Sequence, residues 1–531
     1  MLNKILKILS NKYYVPFITG LLFFLAFPPV NFYLLSFVFL IPFLYRLNEL
    51  DKLKDKLIFT YLSFLSVNFL LLYWVGSWQK EADTFLMIGG TVLIFFNPIT
   101  FFIPIILFHL TEKIYSKKLA VFLLPFFWVF YEYIYSITDL RFPWLSLANS
   151  IPYFTSFIQI SNIVTAYGLT FIIVLSNVLL FLTILKYQNN EYSYKKYIVS
   201  FFVIFILINF YGFYSIYNDK SDGNTLKIKV VQPNLNPWDK WNDKNIGKLL
   251  QKYLTLSTFD NKFKPDVIIW PETALPVYFL SLEYSQYVND LRNFVDTNNV
   301  YLITGMPHFQ VFDSDINLPK YYKTSPAGYK YATYNSILEF LPNQYQIPYY
   351  GKQKLVPFGE KVPYVEYLPF LGDWINWNVG ISSWNEGEEI KLFKVKNDSL
   401  AAVVCYESIF PDFIAKFFQK KAGALIVVTN DSWYGNSSGP YQHQAIAILR
   451  AVENHKPVVR CANGGISSYI LPNGQEVVKT QMFISNVLNL NIKTDYTITF
   501  ATKYPLIFPL LSIFVSLYIV LVYLYFRIFK K

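Results

Sequence analysis

The chain has 531 residues, of which 54% are hydrophobic and 20% aromatic, and its formal net charge is +11. Soluble domains are usually about 45–50% apolar, so this composition excludes an ordinary soluble protein and predicts a polytopic membrane protein with a soluble insertion. The positive charge does not indicate a nucleic-acid partner, because many lysines lie at the ends of apolar runs, where they set membrane topology.

The cysteine and histidine content limits the disulfide bonds and metal sites that the chain can form. With only two cysteines and four histidines, none at metal-ligand spacing, the chain predicts no disulfide-rich scaffold and no metal site. A single bridge between Cys405 and Cys461 remains an alternative if their domain lies outside the cytoplasm.

Long apolar runs occupy both ends of the chain. A membrane-spanning helix needs about 20 mainly apolar residues, and by this measure we expect about eight helices. The runs cover residues 14–28, 32–43, 58–78, 85–110, 119–137, 154–185, 197–216 and 506–526. This predicts a transmembrane domain of about seven helices over residues 1–217, a soluble domain over 218–502, and a final helix with a short tail over 503–531.

The distribution of Lys and Arg predicts the orientation. The N-terminus, the connections after the second, fourth and sixth runs, and the C-terminus are basic. The alternate connections at 27–30, 79–84 and 138–153 are poor in Lys and Arg. Because basic loops stay in the cytoplasm, we expect both termini to be cytoplasmic and the soluble domain to face the exterior or periplasm.

The soluble domain alternates short apolar runs with mixed segments, which is typical of an α/β fold. The predicted strands are residues 227–232, 266–270, 301–305, 336–340, 400–405, 424–429 and 457–461. The predicted helices are residues 244–257, 284–297, 411–421 and 442–454.

One predicted strand ends on Cys405. Tyr406, Glu407 and Pro411 follow, so the pattern indicates a thiol at a strand-to-helix turn. A cysteine nucleophile needs a base and a group that stabilises an oxyanion. An inert core cysteine is the alternative interpretation.

Two further stretches offer those groups. Glu272 follows an apolar strand, and α/β active sites are assembled at such strand ends; a solvated loop glutamate is the alternative. Lys352 and Lys354 precede Glu360. A lysine near a thiol lowers the pKa of that thiol and can donate a hydrogen bond to an oxyanion. Both lysines are equally compatible with a surface position.

Together these stretches resemble the nitrilase superfamily, and the whole chain is similar in plan to the apolipoprotein N-acyltransferase family of bacterial inner membranes. The segments that carry the resemblance are residues 142–144, 231–234, 270–274, 350–360, 405–407, 429–435, 439–443, 450–454 and 460–467. Two departures, Pro233 and the Gly464-Gly465 pair, lie outside the catalytic positions. The resemblance implies an inserted α-β-β-α sandwich and a Glu-Lys-Cys triad.

The resemblance also implies roles for individual residues. Cys405 is expected to be the nucleophile, Glu272 the general base and acid, and Lys352, rather than Lys354, the group that stabilises thiolate and oxyanion. Tyr406, through its backbone N–H, and Glu360, Glu407 and Asn335 are expected to support this triad. Aromatic residues are expected to line the acyl pocket or form a lid, with ordinary core packing as the alternative: Trp241, Trp433, Tyr434, Tyr364, Phe370 and Trp374.

The activity implied by the resemblance is a ping-pong acyl transfer, which is expected to need no cofactor because aminolysis of a thioester is downhill. A phospholipid in the bilayer gives a fatty acyl group to Cys405, and the thioester passes it to the α-amino group of a diacylglyceryl-cysteine at a lipoprotein N-terminus. We expect a monomer in the inner membrane with its catalytic domain in the periplasm. A membrane-tethered amidase and a transporter with an outer domain are the rival interpretations, although few ionisable residues lie mid-span.

Overall fold

The computed structural model describes residues 13–82, 84–220, 223–242, 245–260, 262–312, 318–319, 321–364 and 384–529. They form two compact units. One contains the described residues up to Gly76, Met87–Asp219 and the residues from Thr499 onward. The other contains Ser77–Leu86 and Lys220–Ile498.

The first unit is helical. Six helices of the described chain are long and apolar enough to cross a membrane, and they coincide with six of the predicted runs: Leu53–Gly76, Leu86–Ile114, Lys117–Ile137, Ser161–Gln188, Tyr194–Tyr217 and Ile507–Phe529. The first predicted run forms the shorter helix Tyr14–Ala26. The second forms a 3₁₀ turn, Tyr33–Phe37, and the start of the helix Ile41–Glu49. Two four-residue helices, Thr155–Ile158 and Phe500–Lys503, complete the unit.

The second unit contains two β-sheets. The strands of the first are β1 (Thr225–Gln232), β2 (Val267–Trp270), β3 (Tyr301–Phe312), β4 (Lys323–Thr324), β5 (Lys330–Phe340), β6 (Tyr349–Gly351) and β13 (Asn486–Lys493). The strands of the second are β7 (Leu392–Val395), β8 (Asp398–Val404), β9 (Ala424–Thr429), β10 (Val458–Ala462), β11 (Ser468–Ile470) and β12 (Glu476–Lys479). All seven predicted strands are present: five agree within two residues at each end, whereas β3 extends to Phe312 beyond its predicted end at 305 and β5 begins at Lys330 before its predicted start at 336.

The strand order is β13-β1-β2-β3-β5-β4 in the first sheet, with β6 paired to β5, and β12-β11-β10-β9-β8-β7 in the second. In each sheet three neighbouring strands are parallel, β1-β2-β3 and β10-β9-β8. Because the carboxyl ends of parallel strands lie at one edge, residues that follow β2, β8, β9 and β10 are brought together.

Helices cover the outer face of both sheets. Ile246–Thr258 and Ser285–Asn298 pack their buried leucines and valines against the first sheet. Pro411–Gln419 and Ser438–Asn454 belong to the second, and Pro237–Asn242 is a shorter helix after β1. Cys461 of β10 lies between the sheets, where its thiol donates to the carbonyls of Val231 and Ile269 at 3.4 Å. The α-β-β-α layering expected for this domain is therefore present.

Candidate active site

Cys405 occupies the predicted strand-to-helix turn, one residue beyond the end of its strand. The prediction placed it in the strand, but β8 ends at Val404 and Cys405 begins the 3₁₀ turn Cys405–Ile409. Its φ of 50° is in the left-handed region, which costs a non-glycine residue roughly 1–3 kcal/mol. Both cysteines are free thiols, so the alternative of a Cys405–Cys461 bridge is wrong.

Glu272 reaches the site from the other sheet. It stands two residues beyond β2, and its side chain is nearly buried. Asn335 of β5 donates from Nδ2 to Glu272 Oε1 at 2.8 Å. Gly305 of β3 permits this close approach, because a Cβ there would lie 2.6 Å from the Cα of Glu272. The carboxylate is therefore held by strand packing as well as by a hydrogen bond.

Lys352 follows β6 directly and is 1% exposed. Its Nζ lies 2.8 Å from both carboxylate oxygens of Glu360 and 3.8 Å from Glu272 Oε1. Asn335 also donates to Glu360 Oε1 at 2.8 Å and accepts from the Lys352 backbone N–H at 2.8 Å. Asn335 therefore joins both carboxylates and the lysine in one buried network.

Burial and these neighbours shift the ionisation of the three central groups. Burial raises the pKa of Glu272, and Lys352 only partly opposes this. Burial works against the charge of Lys352, but Glu360 and Glu272 raise its pKa above the ordinary value. Burial and then the charge of Glu272 raise the pKa of Cys405. The resting site therefore contains an ammonium and a neutral thiol, next to a carboxylate with increased affinity for a proton.

Glu407 connects the lysine segment, residues 350–354, to the cysteine turn, Cys405–Ile409. Its Oε1 accepts from the Tyr350 hydroxyl and the Gln353 N–H at 2.6 Å and from the Lys354 N–H at 3.2 Å, while Oε2 accepts from the Val404 N–H at 2.8 Å. The hydrogen bonds of Glu407 thus hold the chain on either side of Lys352, through the Tyr350 side chain before it and the backbone of Gln353 and Lys354 after it. Glu360, rather than Glu407, contacts the ammonium group.

A histidine lies behind the nucleophile, which sequence spacing did not reveal. His443 Nδ1 is 2.8 Å from Asp431 Oδ1, and its Nε2 is 3.2 Å from the Cys405 carbonyl and 3.0 Å from Ser408 Oγ. Arg460 donates to the other oxygen of Asp431 at 3.0 Å. Cys405, Asp431 and His443 place possible metal ligands within 4.8 Å of one another, but the carboxylate and imidazole are already engaged in these hydrogen bonds. The cluster is a support for the cysteine turn.

The catalytic candidates open into a cavity of about 120 Å³. Its wall contains charged and amide groups on one side and large apolar groups elsewhere. The lining residues are Leu86, Trp238, Trp241, Glu272, Thr273, Asn335, Lys352, Val356, Gly359, Glu360, Trp384, Cys405, Asn430, Trp433 and Tyr434. Trp238 meets Trp433 edge-on with ring centroids 4.7 Å apart. The cavity combines a reactive polar end with an aromatic wall.

Three of the expected site residues within the described part of the chain do not line this cavity: Tyr406, Glu407 and Tyr364. Tyr406 is buried and packs edge-on against Phe410, while Tyr364 is half-buried outside the lining set. Phe370 and Trp374 lie outside the described residues, so the lid remains a prediction.

The short connection from residue 77 to residue 86 supports the aromatic wall. Ser77 Oγ and Gln79 Nε2 both donate to the Trp433 carbonyl, the latter at 2.9 Å. Leu86 lines the cavity itself. In the sequence, residues 79–84 stood out only as a connection poor in Lys and Arg, and no part of the site was expected there.

This fold and site define a carbon–nitrogen hydrolase type of catalytic domain carried by a membrane protein. The carbon-nitrogen hydrolase family model matches residues 227–501, and the model of the apolipoprotein N-acyltransferase N-terminal domain matches residues 19–179. The chain belongs to the apolipoprotein N-acyltransferase family.

Curated relatives agree over most of the sequence. The apolipoprotein N-acyltransferase of Chlorobaculum tepidum is 30% identical over 95% of this chain and 95% of its own length. That of Geobacter metallireducens is 28% identical over 93% of this chain and 92% of its own. That of Rickettsia typhi is 30% identical over 72% of this chain and 74% of its own. The match therefore includes both the membrane and the catalytic regions.

Proposed function

We propose that this protein transfers a fatty acyl group from a membrane phospholipid to the α-amino group of a diacylglyceryl-cysteine on an apolipoprotein. The observation that carries the proposal is the meeting of Cys405, Glu272 and Lys352 at one cavity, in a chain of this family. The catalytic roles of these residues are part of the proposal.

In the first half-reaction, Glu272 takes the proton of the Cys405 thiol as the sulfur attacks an ester carbonyl of the phospholipid. Lys352 donates to the oxyanion, and the Tyr406 backbone N–H is a second donor. A single preorganised donor typically contributes about 3–4 kcal/mol to the barrier. Glu272 then protonates the departing glycerol oxygen, the C–O bond breaks, and a lysophospholipid leaves an acyl thioester behind.

In the second half-reaction, the neutral amine of the acceptor attacks the thioester carbonyl. Glu272 removes a proton from the attacking nitrogen, and the C–S bond breaks as the amide forms. The sulfur leaves as a thiolate beside Lys352 and recovers a proton from Glu272. Aminolysis of a thioester is downhill, so these steps need no nucleotide. Water is the competing nucleophile, and the aromatic wall formed by Trp238, Trp433 and their neighbours limits its access.

The arrangement in the membrane completes the proposal. We assign residues 1–217 and 503–531 to the membrane region, with about eight spans, and residues 218–502 to the catalytic domain. The basic loops support cytoplasmic termini and a periplasmic catalytic domain in the inner membrane. The enzyme acts as a monomer, with a phospholipid donor and a diacylated lipoprotein acceptor.

Intact-mass analysis tests the proposal directly. Purified protein is incubated with phosphatidylethanolamine, and we expect a mass increase of one acyl group that maps to Cys405 and is removed by hydroxylamine. Addition of a diacylated lipopeptide should discharge the adduct into an N-acylated peptide. The Cys405→Ser variant should form no thioester. Release of free fatty acid without peptide acylation would contradict the transferase and favour the rival amidase interpretation.

A further inference from the structure

The end of β9 places an amide group in the cavity that the reaction described above does not use. Asn430 directly follows Thr429, lines the cavity together with Cys405, and is 1% exposed. Because β8 and β9 are parallel neighbours, with Val404 opposite Val428, the residues after both strands emerge at the same edge. Asn430 therefore lies at the reactive end of the cavity.

The orientation of this amide is determined by a neighbouring asparagine. Asn463, which follows β10, accepts from the Leu235 N–H at 3.0 Å and donates to the Leu235 carbonyl at 2.7 Å. These two contacts fix which side of the Asn463 amide is nitrogen. Its Nδ2 also donates to Asn430 Oδ1 at 3.1 Å. The oxygen of Asn430 is thus turned toward Asn463, and its NH₂ group is turned away.

Within the described part of the chain, Asn430 Nδ2 has no hydrogen-bond acceptor. Leaving a buried donor without a partner is unfavourable, and such groups occur where a ligand supplies the missing acceptor. The cavity is the place where an acyl substrate meets Cys405. A neutral N–H donor at this position suits an uncharged carbonyl oxygen that gains negative charge during attack.

We propose that Asn430 is a substrate-binding residue whose Nδ2 donates to the carbonyl oxygen of the ester that Cys405 attacks, and afterwards to that of the thioester. The proposal rests on the acyl-transfer function above, since it requires an acyl substrate in this cavity. Asn430 adds a neutral donor to the charged Lys352, and Asn463 holds it in position before substrate binds. Sequence reasoning identified the segment that contains Asn430 only as part of a family motif.

Two variants test the role. Asn430→Ala removes the donor, while Asn430→Asp keeps the shape and the oxygen that accepts from Asn463. Both should form the Cys405 thioester from phosphatidylethanolamine about 100-fold more slowly, the usual effect of removing one preorganised donor. Both should also discharge a preformed thioester more slowly. Asn298→Ala, on an exposed helix position, should match the wild type. Thermal unfolding in detergent identifies any variant that fails to fold, and Asn430→Asp remains informative if Asn430→Ala does so.

A sulfur-substituted donor separates substrate contact from a merely structural role. Sulfur accepts hydrogen bonds more weakly than oxygen, so a phosphatidylethanolamine with thionoester groups should react more slowly than the ester in the wild type. In Asn430→Ala this discrimination should shrink by about tenfold, as expected when two changes remove the same contact. Unchanged discrimination, or loss confined to discharge by the peptide, would overturn the proposal. The underlying function fails separately, if wild-type protein forms no thioester at all.

Discussion

Glu407→Gln tests whether the lysine segment and the cysteine turn are held together by one buried carboxylate. The wild-type side chain is fully buried and accepts four hydrogen bonds, from Tyr350, Gln353, Lys354 and Val404. The amide has nearly the same shape but only one oxygen. If the oxygen of the Glu407→Gln side chain takes the position of Oε1, the NH₂ group of the same side chain faces the Val404 N–H. Two hydrogen-bond donors then face each other without an acceptor.

The magnitude follows from these contacts. A hydrogen bond to a charged acceptor contributes about 1.5–3 kcal/mol, and a neutral one about 0.5–1.5 kcal/mol. Losing one such bond and weakening three gives a decrease of about 4–7 kcal/mol in the free energy of unfolding of the catalytic unit. For a unit of this size the decrease corresponds to a fall in Tm of roughly 10 °C. Thermal unfolding in detergent measures it.

The same substitution should slow the chemistry, because it loosens the chain on both sides of Lys352. A displacement of about 1 Å typically costs roughly 100-fold in rate, and thioester formation followed by intact mass should show a loss of this order at a temperature where the variant is folded. Glu283→Gln, at an exposed position, is the matched control and should change neither quantity. A Glu407→Gln protein with wild-type Tm and rate would refute the reasoning.

Three further predictions concern neighbouring groups. Asn335→Leu removes a hydrogen bond that lowers the pKa of Glu272, whereas Glu360→Gln removes a charge that raises this pKa. The acid limb of the pH profile of thioester formation should therefore move to higher pH in Asn335→Leu and to lower pH in Glu360→Gln. Shifts in the same direction would contradict the assignment of Glu272 as the base. Burial lowers the pKa of Lys240 to about 7, so between pH 7 and 10 the unfolded chain binds a proton that the folded chain lacks, and the free energy of unfolding rises with pH. Between pH 7 and 9 the Tm of Lys240→Met should therefore rise less than that of the wild type. Equal changes of Tm with pH in the two proteins would exclude this linkage. Gln79→Ala removes one of two donors to the Trp433 carbonyl and should slow thioester formation about threefold to tenfold, with Gln310→Ala as a control outside the cavity; an unchanged rate would show that the contact is dispensable.

The parts of the fold that depend on local pattern were predictable. Each buried parallel strand reads as a short apolar run, as β9 does over Ala424–Thr429, and the long apolar helices follow from composition. The strands β4, β6, β7, β11, β12 and β13 were missed. All of these except β13 have only two to four residues, which carry no recognisable period. The predicted end of the strand at Cys405 was wrong by one residue, since the turn is imposed by the contacts of Glu407 and not by the propensity of the thiol.

The candidate site was predictable only where a motif marked it. Glu272, Lys352 and Cys405 stand in segments that suggest chemistry, and the cavity brings them together. His443 and Asn430 also stand in segments that match the family, but their places in the site come from tertiary structure: His443 lies behind the cysteine turn, and Asn430 is oriented by Asn463. Lys240 is similar, since a lysine in sequence is usually exposed, yet its side-chain nitrogen is buried and donates to the Thr273 carbonyl at 2.7 Å.

Glu360 and Glu272 contact the Lys352 ammonium group differently, and this difference determines which carboxylate is suited to accept a proton. Glu360 holds Lys352 through both of its oxygens, whereas Glu272 lies 3.8 Å from the same ammonium. A base fully paired with an ammonium would have a low pKa and would be a poor acceptor for a thiol proton. Burial, and then the charge of Glu360, raise the pKa of Glu272 against the opposing effect of Lys352, so in the proposed mechanism Glu272 can accept that proton. Transfer from Cys405 to Glu272 leaves the total charge of the buried site unchanged, so attack moves negative charge toward Lys352 without bringing a new charge into the cavity.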